Sequence, residues 1–246
     1  MTRIQVIAHR GSSTDHPDNG WTAFETAVAD GADAIECDVQ ATRDGVLVIR
    51  HDLAVGDRLV ADMSATEVAA HDTGGVVLGD LLPWAERVGI DLLVEVKEPG
   101  ATAAVAAAIA GSPWREHCVV ASFHGPALAA AKARAPGVRT SFMMGSVANA
   151  ENLVALAAAS RADGLHLCWE SRAARPHRLL DAATIHWLRR AGLALTLWHE
   201  EREDELEALC AFGPDAICTN TPAVLRRIVD TKGAQAGAPH NGGGPP

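Results

Sequence analysis

Short apolar runs alternate with Ala- and Leu-rich helical segments along almost the whole chain of 246 residues, and this alternation predicts an α/β fold. Eight of the runs have the length of buried strands. Eight strands alternating with helices over roughly 250 residues are typical of a (β/α)₈ TIM barrel. A doubly wound open sheet is the alternative, but it usually carries a glycine-rich phosphate loop after its first strand. No G-x-G-x-x-G follows the first run here.

The eight predicted strands are bounded by Gly, Asp and Pro, which are typical of strand ends. They cover residues 4–8, 34–39, 92–96, 117–121, 138–142, 164–168, 193–198 and 216–219. The segments between them are rich in alanine and leucine, which favour helices. The helical candidates include residues 22–29, 101–110, 127–133, 149–158, 177–190 and 203–211.

A further apolar run, residues 46–49, does not fit the alternation and predicts a short accessory segment after the second strand. It follows Thr42-Arg43-Asp44-Gly45, a turn signal typical of a hairpin-like connection. We expect it to carry His51 to the barrel mouth. Residues 52–80 then hold one candidate helix, residues 64–70, and little else. We expect residues 1–232 to form a single domain and the Gly- and Pro-rich residues 233–246 to be a disordered tail.

The composition predicts a globular protein that binds neither nucleic acid nor membranes. The formal net charge is −10 and no basic block occurs, which argues against a nucleic-acid or anionic-membrane partner. Neither a membrane-spanning run nor a secretory signal is seen, so we expect a cytoplasmic location without stable membrane association. The cysteines are odd in number, widely spaced and without a C-x-x-C pair, which predicts reduced, buried thiols. They are Cys37, Cys118, Cys168, Cys210 and Cys218.

Three carboxylates are predicted to gather at one end of the barrel. Residues i and i+2 of a strand point the same way, so Glu36 shares a face with Asp38, and Glu95 shares one with Lys97. Buried carboxylates are costly unless positive charge offsets them, and a divalent cation such as Mg²⁺ or Ca²⁺ prefers such oxygen ligands. The alternative is that the acids are solvated at strand ends and paired with basic side chains. Those side chains are Arg10, Arg43 and Lys97.

Two histidines stand at the ends of apolar runs, His9 after the first and His51 after the accessory run. Histidine titrates near neutral pH, so one ring can accept a proton while the other donates one. The alternative is that both cap strand ends, but their placement with the carboxylates favours catalysis. His166, Cys168 and Trp169 end another strand, where packing or a substrate wall is favoured over metal ligation.

The order of these residues resembles the glycerophosphodiester phosphodiesterase family. The resemblance spans nearly the whole chain apart from the tail, and its strength lies in the order and spacing of short pieces. The matching pieces are Ala8-His9-Arg10-Gly11, Pro17-Asp18-Asn19 with Ala23-Phe24, Gly31-Ala32-Asp33-Ala34-Ile35-Glu36-Cys37-Asp38-Val39, Thr42-Arg43-Asp44-Gly45, His51-Asp52, Val94-Glu95-Val96-Lys97, Ser122-Phe123, Trp198 and Thr219-Asn220-Thr221-Pro222.

The resemblance implies a TIM-barrel hydrolase that cleaves a small-molecule glycerophosphodiester to sn-glycerol 3-phosphate and an alcohol. The residues matching His9 and His51 would serve as general acid and base. Those matching Glu36, Asp38 and Glu95 would hold one divalent metal ion, Mg²⁺ or Ca²⁺. Which histidine starts the reaction, and whether water or a substrate hydroxyl attacks first, both stay open at this point.

Substrate contacts are also implied by the resemblance. The residue matching Arg10 would bind phosphate, and the one matching Lys97 would lie beside it. Trp198 is expected to contact substrate, with packing in the core or the rim as the alternative.

The chain departs from the family at three places. Asp18 and Gly20 stand where Glu and Thr are usual, so we expect Thr22 to cap the following helix. The segment of residues 52–80 is short, which predicts a more open mouth. After Trp198, His199-Glu200-Glu201 replaces the usual Thr-Val-Asn, and a changed rim of this kind can admit a different alcohol group.

These departures leave two alternatives open. The short segment and the changed rim are consistent with a lysophospholipase D-like phosphodiesterase, which keeps the chemistry and changes the substrate. The departures at Asp18, Gly20 and His199 are consistent with a non-catalytic barrel that binds a phosphate ligand.

Overall fold

The predicted barrel is present in the computed structural model of the chain, which describes residues 3–71, 75–168 and 173–237. The strands of these residues are β1 Gln5–His9, β2 Ala34–Ala41, β3 Leu47–Ile49, β4 Ala54–Val55, β5 Arg58–Leu59, β6 Val76–Val77, β7 Asp91–Val96, β8 Cys118–Ser122, β9 Arg139–Met144, β10 Gly164–Cys168, β11 Ala194–Trp198 and β12 Ala216–Thr219. Eight of them, β1, β2 and β7 to β12, pair in parallel in chain order. Strand β12 then pairs with β1 and closes the sheet.

Helices surround the closed sheet and bury its outer face. Within the described ranges they are α1 Trp21–Ala29, α2 Ala65–Ala69, α3 Leu78–Val88, α4 Thr102–Ala110, α5 Gly125–Arg134, α6 Ala150–Ser160, α7 Ala182–Arg190, α8 Glu203–Phe212 and α9 Pro222–Gly237. Phe24, Leu81 and Ile109 are fully buried where helices pack on strands. In the part of the chain that the structure describes, no helix combines the length and the apolarity needed to cross a membrane.

Alternation along the strands places the polar residues above an apolar barrel floor. Ile7, Ala34, Leu93 and Met143 belong to one small buried cluster formed by strands from around the barrel. Because side chains alternate, the face of β2 that begins at Ala34 continues through three polar residues toward the carboxyl end of the strand. These are Glu36, Asp38 and Gln40.

An aspartate precedes three of the barrel strands and ties each to a neighbouring strand. Its carboxylate accepts a hydrogen bond from the second backbone N–H of that neighbour, at 2.8 Å in every case. The bonds join Asp33 to Val6, Asp163 to Thr140 and Asp215 to Leu195. The same hydrogen bond, from strand backbone to aspartate, therefore fixes the start of β1, β9 and β11.

The accessory segment is present, and it is more structured than the sequence predicted. Strand β3 runs antiparallel to β2, which confirms the hairpin-like connection. Residues 52–80 contain the β4–β5 hairpin, a 3₁₀ turn, α2, β6 and the beginning of α3. Helix α2 confirms the candidate helix of residues 64–70, but the prediction of little other structure was wrong. The segment folds because Val48, Val60, Met63 and Val68 form a separate apolar cluster.

Two helix boundaries differ from the predictions for local reasons. The predicted helix of residues 177–190 begins as the 3₁₀ turn Pro176–Leu179 and breaks before α7. It restarts because the Asp181 side chain accepts a bond from Thr184 N at 2.6 Å. Thr22 does not cap α1, because that helix already begins at Trp21, and Gly20 makes no side-chain cap bond.

The last helix extends beyond the predicted domain end. α9 continues to Gly237, past Lys232. The remaining residues of the predicted tail, 238–246, lie outside the described residues, as does Trp169, so both predictions stay predictions.

Candidate active site

Three carboxylates meet at the carboxyl end of β2 and β7. Glu36 and Asp38 lie on β2, and the strand register places Glu95 of β7 opposite Asp38. All three are buried, and they offer oxygens that lie within 4.8 Å of one another. Burial raises the pKa of Glu36 and of Glu95, and the negative charge of Asp38 raises both further. Ionising all three carboxyl groups is therefore unfavourable without positive charge close by.

The carboxylates fit a divalent cation. Glu36 Oε2 accepts a bond from Arg10 N at 3.0 Å, whereas Glu36 Oε1 is buried and makes no hydrogen bond within the described residues. A buried carboxylate oxygen without a partner is unfavourable. Mg²⁺ and Ca²⁺ bind to hard oxygen ligands of this kind, so the donor set is suited to either ion.

Arg10 and Lys97 neutralise part of this charge. Lys97 Nζ lies 2.8 Å from Glu95 Oε1 and 3.3 Å from Asp38 Oδ1. Arg10 Nε lies 3.1 Å from Asp38 Oδ2. When all three carboxylates are ionised, the two cations leave one negative charge, and a divalent ion would turn this into a net positive charge. Such a site attracts an anionic substrate.

A tight turn after β1 aims the Arg10 backbone at the carboxylates. Arg10 and Gly11 both have positive φ, 56° and 86°. A Cβ atom on Gly11 would lie 2.7 Å from a backbone carbon of Ala23, so only glycine fits between the turn and α1. The turn then presents Arg10 N to Glu36.

Asn19 holds Asp38 and was not among the predicted site residues. It is buried with φ of 58°. Its Nδ2 donates to Asp38 Oδ2 at 2.9 Å, and its Oδ1 accepts from Asp38 N at 3.1 Å. The turn signal Pro17-Asp18-Asn19-Gly20 was visible in the sequence, but the carboxylate it serves lies on another element.

His9 is buried at the end of β1 with its ring held by Asn220. Nδ1 donates to Asn220 Oδ1 at 2.7 Å, which leaves Nε2 as the proton acceptor, 3.9 Å from Glu36 Oε2. Burial, followed by the charges of His199 and Arg10, lowers the pKa of His9 to about 3. His9 is therefore neutral at neutral pH. Asn220 is a second site residue without a predicted role.

Aromatic rings surround His9. Trp198 lies 5.3 Å away between ring centroids, and His199 stacks on His9 at 4.5 Å. His166 lies 5.1 Å from Trp198 and is fully buried, and its ring nitrogens have no hydrogen-bond partner among the described residues. Burial lowers the pKa of His166 to about 3. His166 is not part of the carboxylate cluster.

His51 is more exposed than the other predicted site residues and stands on a loop held by Gln40. Its side chain is 39% exposed, and Nδ1 lies 2.9 Å from Asp52 Oδ1. The buried Gln40 Nε2 donates to the carbonyl oxygens of Arg50 at 2.9 Å and Asp52 at 2.8 Å. His51 and Arg10 line one cavity of about 610 Å³.

The structure thus brings together most of the predicted site residues. They are His9, Arg10, Glu36, Asp38, Glu95, Lys97 and Trp198. In the described ranges His51 shares no hydrogen bond or ion pair with them, and it lines the same cavity as Arg10.

Sequence comparisons identify relatives along almost the whole chain. The model of the Glycerophosphoryl diester phosphodiesterase family matches residues 9–224, which include every predicted site residue. A glycerophosphodiester phosphodiesterase from Caldanaerobacter subterraneus subsp. tengcongensis is 28% identical and covers 91% of this chain and 97% of its own. Another from Bacillus altitudinis is 34% identical over 52% of this chain and 61% of its own.

Solved structures share the fold. The structure of an Oleispira antarctica phosphodiesterase in complex with the product sn-glycerol-3-phosphate aligns with a TM-score of 0.75 and 24% identity over 93% of this chain and 97% of its own. A glycerophosphodiester phosphodiesterase from Thermotoga maritima aligns with a TM-score of 0.78 and 20% identity over 93% and 99%.

Proposed function

The chain belongs to the glycerophosphoryl diester phosphodiesterase family, and we propose that it hydrolyses glycerophosphodiesters to sn-glycerol 3-phosphate and an alcohol. The observation that carries this proposal is the buried cluster of Glu36, Asp38 and Glu95 next to His9. It lies at the carboxyl end of the barrel strands, where barrel enzymes have their active sites.

We propose that Glu36, Asp38 and Glu95 hold one divalent cation, Mg²⁺ or Ca²⁺. The buried Glu36 Oε1 without a hydrogen-bond partner supports this assignment. When bound there, the ion would stabilise negative charge on the phosphoryl oxygens. Asn19 would keep Asp38 in place through its two hydrogen bonds.

His9 and His51 are proposed to be the acid–base pair. His9 presents Nε2 as an acceptor because Nδ1 is bound to Asn220, so it is suited to accept the first proton. The contact between His51 Nδ1 and the Asp52 carboxylate orients the His51 ring, and we propose that His51 protonates the leaving oxygen.

Arg10 and Lys97 are proposed to bind the phosphate group. Both already lie at the carboxylates, so a substrate phosphate near the cluster is within reach of their positive charges. Trp198, whose ring lies beside His9, would form part of the substrate wall.

The first experiment measures glycerol 3-phosphate release from glycerophosphocholine and glycerophosphoethanolamine after EDTA treatment and after addition of Mg²⁺, Ca²⁺ or Mn²⁺. We expect release only with a divalent ion. His9→Ala and His51→Ala should each lower kcat about 100-fold or more. His117→Ala is the matched control, since His117 bonds to Asp91 at 2.8 Å before β8, away from the cluster. Full activity of either alanine variant contradicts the acid–base assignment.

A lysophospholipase D-like activity is the second candidate. Leu53, two residues after His51, is 44% exposed, and so is Phe123, which follows β8 and lies 6.3 Å from Trp198. Apolar side chains exposed at such positions are suited to an acyl chain. Hydrolysis rates of lysophosphatidylcholine and glycerophosphocholine decide between the two, because a strong preference for the deacylated diester excludes this candidate.

A further inference from the structure

The loop after β11 carries a histidine and an acid, His199 and Glu201, where the family usually has Thr and Asn. His199 follows Trp198 directly, and Glu201 lies two residues later. His199 Nδ1 donates to Glu201 Oε1 at 2.9 Å, so the two side chains form a pair. The pair points to a role inside the site rather than to a widened rim, because it contacts His9 by two separate routes.

The first route is direct ring contact. The His199 ring stacks on the His9 ring with centroids 4.5 Å apart and planes inclined by 21°. Trp198 stands against the same His9 ring at 5.3 Å and a tilt of 58°. Ring contacts of this kind restrict how far His9 can tilt.

The second route passes through Asn220. Glu201 Oε1 also accepts a bond from the backbone N–H of Asn220 at 3.3 Å. Asn220 Oδ1 in turn accepts from His9 Nδ1 at 2.7 Å and from Ser13 Oγ at 2.9 Å. Glu201 therefore helps to fix the residue that decides which nitrogen of His9 carries the proton.

The contacts form a closed ring from His9 through Asn220, Glu201 and His199 back to His9. We propose that His199 and Glu201 act together as positioning residues for His9. The pair holds the imidazole plane and keeps Nε2 directed toward the carboxylate cluster. Neither residue is assigned contact with substrate.

The electrostatics of the pair agree with this arrangement. Burial raises the pKa of Glu201, but the bond and the charge of His199 outweigh it, so the pKa lies below its usual range. Glu201 is therefore ionised at neutral pH and is a strong acceptor for both donors. The charge of His199 is also one of the causes that lower the pKa of His9.

The inference rests on the proposed function for its kinetic part only, because the position of the His9 ring can be measured without substrate. The variants are His199→Ala, His199→Phe and Glu201→Ala in the full chain. Phe keeps a ring against His9 and loses the bond to Glu201. His117→Ala is the matched control, since His117 stacks on Trp114 at 3.8 Å and bonds to Asp91 at 2.8 Å, before β8 and away from this site.

The kinetic measurement uses glycerophosphocholine with a saturating divalent ion. We expect His199→Ala and Glu201→Ala to lower kcat about 10- to 100-fold, as misplacement of a reacting group does, with KM changed less than about twofold. His199→Phe should recover part of kcat. The kcat of the double alanine variant should be no lower than that of the less active single variant, because the effects of substitutions within one network are not additive.

The structural measurement is the tautomer of His9, read from ¹H–¹⁵N NMR spectra of the imidazole groups, with His9→Ala assigning the signals. Wild type should show the proton on Nδ1, and both alanine variants should show a mixture. Unchanged tautomer and unchanged kcat overturn the proposal, and so does a higher KM alone, which would make His199 a substrate ligand. If wild type shows no turnover, the proposed function fails, and the NMR result still decides the positioning role.

Discussion

At the scale of single residues, the site depends on polar side chains that hold the chemical groups. Asn19 makes two bonds to Asp38, and Asn220 binds the His9 ring. Such supporting partners orient the groups they contact, and their removal typically lowers metal affinity or activity about 10- to 100-fold.

Replacing Asn19 by glycine tests this support. Glycine keeps the backbone at φ of 58° without strain and removes the amide. We expect Asn19→Gly to fold and to bind a divalent ion about 10- to 100-fold more weakly, measured by calorimetric titration. Arg161→Gly is the matched control, because Arg161 has φ of 53° at the end of α6. Equal affinity in the two variants would contradict the role of Asn19.

Replacing Gln40 by methionine tests the loop that carries His51. Methionine has a similar volume and cannot donate to the carbonyl oxygens of Arg50 and Asp52. We expect faster hydrogen exchange in residues 50–53 and a kcat about tenfold lower. Gln5→Met is the control, since Gln5 bonds to Asp91 at the amino-terminal ends of β1 and β7, away from the site. Unchanged exchange in residues 50–53 would show that Gln40 does not hold the loop.

The sequence predicted the reacting groups of the site but not their supports. His9, Glu36, Asp38 and Glu95 were identifiable because titratable residues at strand ends are unusual. Asn19, Gln40 and Asn220 carry no such signal, because each acts on residues that are distant in the chain. The Asn220 and His9 pair, for instance, is separated by 211 positions.

At the scale of elements, strands were easier to predict than helices and connections. Every barrel strand contains a buried apolar run, which a sequence displays directly. The helix α3 was not predicted, because Pro83 lies inside it and Gly79 in its first turn, both of which are helix breakers. The packing of Leu78, Leu81 and Trp84 on the core overrides these local preferences.

The aspartates before the strands give an element-scale prediction. Asp33 accepts bonds from Val6 N at 2.8 Å and from Arg226 at 3.0 Å, and Val6 is fully buried. Asp33→Ala leaves a buried N–H without its partner, which costs about 1–3 kcal/mol. We expect the melting temperature to fall by roughly 2–4 °C for each kcal/mol.

Two comparison variants sharpen this experiment. Asp33→Asn keeps an oxygen for Val6 and should lose less stability than Asp33→Ala. Asp215→Ala, at an exposed position of the same kind, should also lose less, because water can replace the carboxylate. Equal melting temperatures for all three variants and wild type would exclude a stabilising role of these bonds.

At the scale of the whole molecule, the barrel accepts a destabilising cluster at its mouth and stabilises it through the rest of the fold. Apolar side chains fill the barrel below the carboxylates, and the helices cover its outside. The folded barrel therefore holds the three acids closer together than free carboxylates in water would come. Burying the three acids lowers the stability of the fold but gives a site whose groups are already in place, as is common where function requires buried charge.

Metal and pH should therefore act together on the stability of the whole chain. The pKa values of Glu36 and Glu95 are raised by burial and by Asp38. The metal-free folded state thus keeps protons that the unfolded state releases above its ordinary pKa of about 4.5, and the free energy of unfolding falls as pH rises above that value.

A divalent ion binds the ionised carboxylates and opposes this loss. At 100 times its Kd it should add about 2.7 kcal/mol, or roughly 5–10 °C in melting temperature, and more at pH 8 than at pH 5. Scanning calorimetry at both pH values, with Asp38→Asn as the variant lacking one ligand, measures the effect. A melting temperature that Mg²⁺ and Ca²⁺ leave unchanged at both pH values would contradict a metal site at these carboxylates.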